Sequence, residues 1–118
     1  MQMTKNEEEI QKEIMRLQNF ERQMQSVMMQ KQQIQIQLGE ITLATEELAK
    51  AKGEVYKSIG NVMIKTTVEE AKKDLGEKQK LMESRKKTLD EQEEKLRAEL
   101  MRLQKKLQEE MGSSDESA

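Results

Sequence analysis

Histidine, cysteine, proline and tryptophan are all missing from this chain of 118 residues, and its only aromatic side chains are Phe20 and Tyr56. Without histidine the commonest general acid–base group and metal ligand is gone. Without histidine or cysteine there can be no zinc site of the Cys/His type and no Ser-His-Asp or Cys-His catalysis. The absence of cysteine also excludes disulfides and thiolate chemistry, which fits an intracellular protein. Two aromatics cannot anchor an ordinary globular core, where such side chains supply much of the buried area. No apolar run approaches the ~18 residues of a membrane span. The first residues are polar and acidic, unlike a signal peptide. The sequence is therefore expected to be soluble and cytoplasmic.

Charge of either sign is plentiful but balanced, with 21 basic and 23 acidic residues and a net charge of −2. That balance exerts no general pull on nucleic acid or anionic membrane. The basic clusters Lys72-Lys73, Arg85-Lys86-Lys87 and Lys105-Lys106 are interleaved with acids. Phe20 and Tyr56 offer no stacking platform for single strands. The carboxylates are spread among basic neighbours, as on a solvated helix face, and no Walker-type glycine loop occurs. These observations predict no enzyme, no cofactor and no metal.

What remains is rich in Glu, Lys, Gln, Leu and Met, strong helix formers whose mix marks long helices or coiled coils. Thr4 and Glu7 have capping-box spacing. Beyond them Ile10, Ile14, Leu17, Phe20, Met24, Val27, Ile34, Leu38, Ile41 and Leu48 recur at steps of three and four, with Lys31 and Thr45 filling two slots. The steps from Ile14 to Leu17 to Phe20 are two threes in a row, a slip that overwinds a coil. Lys50, Lys52 and Gly53 suit a helix C-terminus, so the first helix is expected over 5–52. A second capping box, Thr67 and Glu70, opens a strict seven-residue series of Val68, Leu75, Met82, Leu89, Leu96 and Leu103. Its companions are Lys78, Arg85 and Gln92 at first, and Leu96, Leu100, Leu103 and Leu107 form a stripe near the end. This second helix is expected over 67–111, leaving 112–118 disordered. Gly39 and Gly76 fall inside the helices, each costing ~1 kcal/mol relative to alanine.

Between the helices, residues 54–66 carry the strand chemistry of the chain. β-Branched and aromatic residues flank Gly60-Asn61, whose leading glycine suits a type II′ turn. The register then pairs Ile59 with Val62, Lys57 with Ile64 and Val55 with Thr66. One face carries Val55, Ile59, Val62 and Ile64, with Lys57 as the misfit. A lone hairpin is marginal in water and leaves its edges open. It must either fold back on its own helices or pair with hairpins of other chains. The fold class is thus mainly α: a long antiparallel two-helix coiled coil, a rod with a β-hairpin at one end and both termini at the other. Of ten methionines, Met1, Met3, Met15, Met24, Met28, Met29, Met101 and Met111 fall in the half away from the hairpin. Flexible, polarizable methionine suits surfaces that accept varied apolar partners.

Helix, then Val55-Tyr56-Lys57-Ser58-Ile59-Gly60-Asn61-Val62-Met63-Ile64-Lys65, then helix resembles the β class of prefoldin (GimC) subunits over about residues 8 to 111. One hairpin rather than two is the mark of that class, and the short tails without histidine or cysteine look archaeal. The resemblance implies an ATP-independent co-chaperone. Two α and four β subunits would join hairpins Val55, Ile59, Val62 and Ile64 into an intersubunit β-barrel. Unfolded client proteins would be held at the distal tips, by Ile10, Ile14, Met15 and Leu17 and by Leu100, Leu103, Leu107 and Met111, for delivery to a group II chaperonin. The alternative is a structural coiled-coil subunit without client binding. Exposed apolar residues at the distal ends favour the first reading, and a seam closed to the termini favours the second.

Overall fold

The computed structural model describes residues 4–116, with side chains through 112. In chain order it has α1 (Lys5–Lys50), β1 (Val55–Ile59), β2 (Val62–Thr66) and α2 (Val68–Glu116). Both helices begin as their capping residues direct. Thr4 Oγ1 accepts the Glu7 backbone N–H at 3.2 Å, and Thr67 Oγ1 accepts that of Glu70 at 3.1 Å. The Glu70 carboxylate does not complete a capping box. It accepts from the Thr66 hydroxyl instead, at 3.3 Å. Thr67→Ala should therefore cost ~0.5–2 kcal/mol, seen as a lower unfolding midpoint in urea. An unchanged midpoint would remove Thr67 from the joint between β2 and α2.

The helix ends differ from the sequence expectation. α1 stops at Lys50 rather than 52 because the Ala51 N–H turns back to the Leu48 carbonyl at 3.2 Å, a tightened last turn. Gly53, with φ of +103°, then supplies the backbone reversal that a side chain would resist. At the other end α2 runs through Gly112 to Glu116, where disorder was expected from residue 112. Gly112 does not take a positive φ, so it does not cap the helix. The Ser-Ser-Asp-Glu that follows carries only mild propensity penalties and no proline. Residues 117 and 118 lie outside the described residues.

The chain divides into two compact units, Met1–Gln30 with Leu89–Ala118, and Lys31–Thr88. In the first, α1 and α2 run antiparallel, with Glu13 paired to Lys106 and Val27 sharing a groove with Gln92 and Leu96. Val27, Leu89, Leu103 and Leu107 are buried there, Leu103 to 1% exposure. In the second, Ile34 and Ile41 are buried, and β1 lies over a groove that also takes in Ala44 and Leu48 of α1 and Ala71, Leu75 and Leu81 of α2.

The seam departs from the sequence reading in both helices. On α1 the inward positions are Ile10, Glu13, Leu17, Phe20, Met24, Val27, Lys31, Ile34, Leu38 and Ile41, an unbroken alternation of threes and fours. Glu13 rather than Ile14 takes the slot, at 6% against 37% exposure, so the expected slip at 14–20 is absent. A cation from α2 makes that exchange possible, as described below. The two consecutive threes fall instead at Leu38, Ile41 and Ala44. There Ala44 turns inward, while the Thr45 hydroxyl donates to the Ile41 carbonyl at 2.7 Å. On α2 the seven-residue series holds. Its companions lie four residues on, as Lys86, Glu93, Leu100 and Leu107, and not three, so Lys78, Arg85 and Gln92 are exposed. Four is the step at which Leu96 and Leu103 meet further leucines.

Candidate functional site

The hairpin register is the one the turn dictates: Ile59 opposite Val62, Lys57 opposite Ile64, Val55 opposite Thr66. Gly60 has φ of +58° and, among the described residues, no non-glycine residue has positive φ, so Asn61 is negative and the turn is type II′. On one face Glu54 gathers two partners. Lys65 Nζ donates to Oε1 and Tyr56 Oη to Oε2, each at 2.7 Å. The lysine bond and then the tyrosine bond hold the Glu54 carboxyl below the usual range, and the same bond pushes the Tyr56 phenol up. Lys57, the misfit of the apolar face, reaches Asp74 of α2 at 3.5 Å. Both partners are about half exposed, so the pair orients the hairpin more than it stabilises it.

The helices do not cover this hairpin. Ile59 is 54%, Val62 59% and Ile64 42% exposed, and only Val55 of the four is half-buried. A groove of about 660 Å³ separates β1 from the helices. Among the described residues the sheet has two strands, so each strand keeps one open edge.

The other candidate residues lie in the first unit, and burial divides them. Leu103 and Leu107 are interior, while Ile10, Leu17 and Leu100 are half-buried. Ile14, Met15 and Met111 are exposed. The exposed large apolar side chains described in this unit are Ile14, Met15, Met28, Met29, Met101 and Met111; in the second unit they are Ile36, Leu43, Tyr56, Ile59, Val62, Met63, Ile64 and Leu81. Methionine thus supplies almost all of the first set and little of the second. Met1 and Met3 lie outside the described residues.

The sequence reading missed a charged cluster in the first unit. Glu13 Oε1 accepts from Lys106 Nζ, and its buried Oε2 lies beside the Glu110 carboxyl. The lysine hydrogen bond holds the Glu13 carboxyl below the usual range. Burial, then the hydrogen bond and charge of Glu13, push Glu110 up. A raised carboxyl pKa favours the protonated folded state, so Glu110 contributes least once pH has risen through its folded pKa. Glu110→Gln, which keeps a donor for Glu13 without the charge, should raise the thermal midpoint at pH 7 and give no gain near about pH 4. The depressed Glu13 loses its contribution as pH falls, but does so in both proteins. An equal gain at both pH values would show that the paired carboxyls are not its source. Ile36 and Leu43 were also passed over. They stand outside the seam, one heptad apart, which was the available signal.

The family model described as "Prefoldin subunit" matches residues 3–114. The chain belongs to the prefoldin subunit family. It is similar to the prefoldin beta subunit from Thermococcus strain KS-1, whose crystal structure superposes with a TM-score of 0.78 at 33% identity. That match covers 86% of this chain and 90% of the Thermococcus chain. No curated protein matches the chain. Prefoldin is a non-enzymatic chaperone family whose subunits assemble with other prefoldin subunits, so the chain has a co-chaperone role. Among the described residues, no helix is long and apolar enough to cross a membrane.

Proposed function

We propose that this chain is a β-class subunit that joins two α-class and three further β-class subunits through its hairpin, in the cytoplasm. The assembled oligomer holds non-native proteins and passes them, without ATP, to a group II chaperonin. The observation that carries this reading is the difference in exposed apolar chemistry between the two units. β-Branched side chains have few rotamers and suit one fixed partner, and the hairpin offers Ile59, Val62 and Ile64. Methionine adapts to many shapes, and the first unit offers Met15, Met28, Met29, Met101 and Met111. Of the eight tip residues, Ile14, Met15 and Met111 meet the client directly. Ile10, Leu17 and Leu100 contribute their half-exposed sides, and Leu103 and Leu107 brace the helices beneath.

The packed state of Leu103 and Leu107 is what the alternative, a purely structural subunit, expects of the seam. It does not account for the exposed methionines, each of which would be a needless apolar surface. The experiment is dilution of a chemically denatured protein into buffer containing the oligomer, with light scattering as the readout. The reading expects scattering to be suppressed, and suppressed by those methionines.

A further inference from the structure

Leucine and methionine are sorted in the first unit. Leu89, Leu103 and Leu107 are buried in its seam, whereas Met15, Met28, Met29, Met101 and Met111 stand 47–68% exposed. Leucine would serve as well on the outside of these helices, since it matches methionine in helix propensity and nearly in volume. What leucine lacks is sulfur. The chain has no cysteine and no tryptophan, so thioethers are its readily oxidised groups. Among the described residues, Met24 and Met82 are half-buried, and Met63 of the hairpin is as exposed as the five.

We propose that these five side chains are sulfoxidation sites through which a peroxide switches client holding off. The inference rests on the client-holding reading above and adds its regulation. The sulfur lone pair attacks one peroxide oxygen and the O–O bond breaks. That oxygen stays on sulfur, and the other leaves as water with both hydrogens. Sulfur gives up two electrons and the peroxide takes them. The sulfoxide is polar and accepts hydrogen bonds, so it resists the drying that a thioether accepts against an apolar client. None of the five closes the seam, so the helices and the hairpin assembly stay as they were. The loss is confined to contacts with the client. Because those contacts act together across several subunits, partial oxidation of every subunit is enough to lose holding. A client seated on these sulfurs also shields them from the oxidant. A loaded oligomer therefore stays reduced, while an empty one is switched off. Methionine sulfoxide reductase reverses the change.

Changing all five to leucine separates sulfur from apolarity, because leucine offers a client similar surface that peroxide does not oxidise. The intact and five-leucine oligomers are treated with hydrogen peroxide, the peroxide is removed with catalase, and a denatured protein is diluted in. Peptide mass spectrometry locates the added oxygen, and sedimentation reports assembly. Both untreated oligomers should suppress light scattering. After peroxide the intact oligomer should leave aggregation as fast as buffer alone, with oxygen on the five methionines, while the leucine oligomer protects as before. Sulfoxide reductase should restore the intact one. A denatured protein added before the peroxide should slow oxygen uptake at the five and not at Met63. Undiminished protection after full oxidation of the five would overturn the proposal. So would equal loss in both oligomers, or disassembly of either on treatment, which would place the damage outside the holding surface. Failure of the intact oligomer before any peroxide would instead remove the client-holding reading, and this inference with it.

Discussion

Replacing Ile59 and Ile64 together with aspartate should leave the helices intact and the assembly gone. In the single chain these side chains already face solvent, at 54% and 42% exposure, so charge there costs little. In the proposed assembly other hairpins would cover the half of each side chain that is still exposed, where full burial of one isoleucine is worth ~1.5–3 kcal/mol. Losing both would remove roughly 1.5–3 kcal/mol per hairpin, a factor on the order of 10–10² in association at each hairpin. Two aspartates taken into that interface without partners add a further desolvation penalty. Sedimentation velocity should show small species, with unchanged helical circular dichroism. A full-size oligomer from the double variant would mean that subunits meet through some other surface.

The hairpin was legible almost completely, and for a local reason. Gly60 at the first turn position dictates type II′, the turn dictates register, and register dictates which side chains share a face. The caps at Thr4 and Thr67 were legible for the same reason, since each acts within three residues. The helix seams were read less well, because a helix face is chosen by the helix opposite. Apolarity alone nominates Ile14 over Glu13. Only Lys106, ninety-three positions away, makes the acid the better interior residue. Likewise the companions of Met82 and Leu89 follow from Leu100 and Leu107 further along α2, which fix the stripe on which Lys86 and Glu93 must ride. The burial of the tip residues depends on the same partner. Leu103 and Leu107 read as available apolar surface until the packing partner is known, whereas the methionines off the seam, Met15, Met28, Met29 and Met101, could be singled out from spacing alone.

The second large effect is expected at those methionines. Met15, Met28, Met29, Met101 and Met111 are 47–68% exposed, so none is needed to close the seam. Glutamine has nearly the length of methionine and a similar helix propensity, so changing all five preserves the helices while removing the apolar contacts. Each contact with a client is worth only ~25 cal/mol per Å². On the proposed function, holding an unfolded chain would therefore depend on several subunits acting at once, and a small loss at each would compound steeply across the oligomer. The measurement that tests the account most directly is light scattering of a denatured protein diluted into buffer with either the intact oligomer or the five-methionine variant, both confirmed by sedimentation as assembled. The account predicts that the intact oligomer suppresses scattering and that the variant, at the same concentration, leaves aggregation as fast as buffer alone. Equal protection by the two oligomers would contradict it and place client binding elsewhere on the assembly.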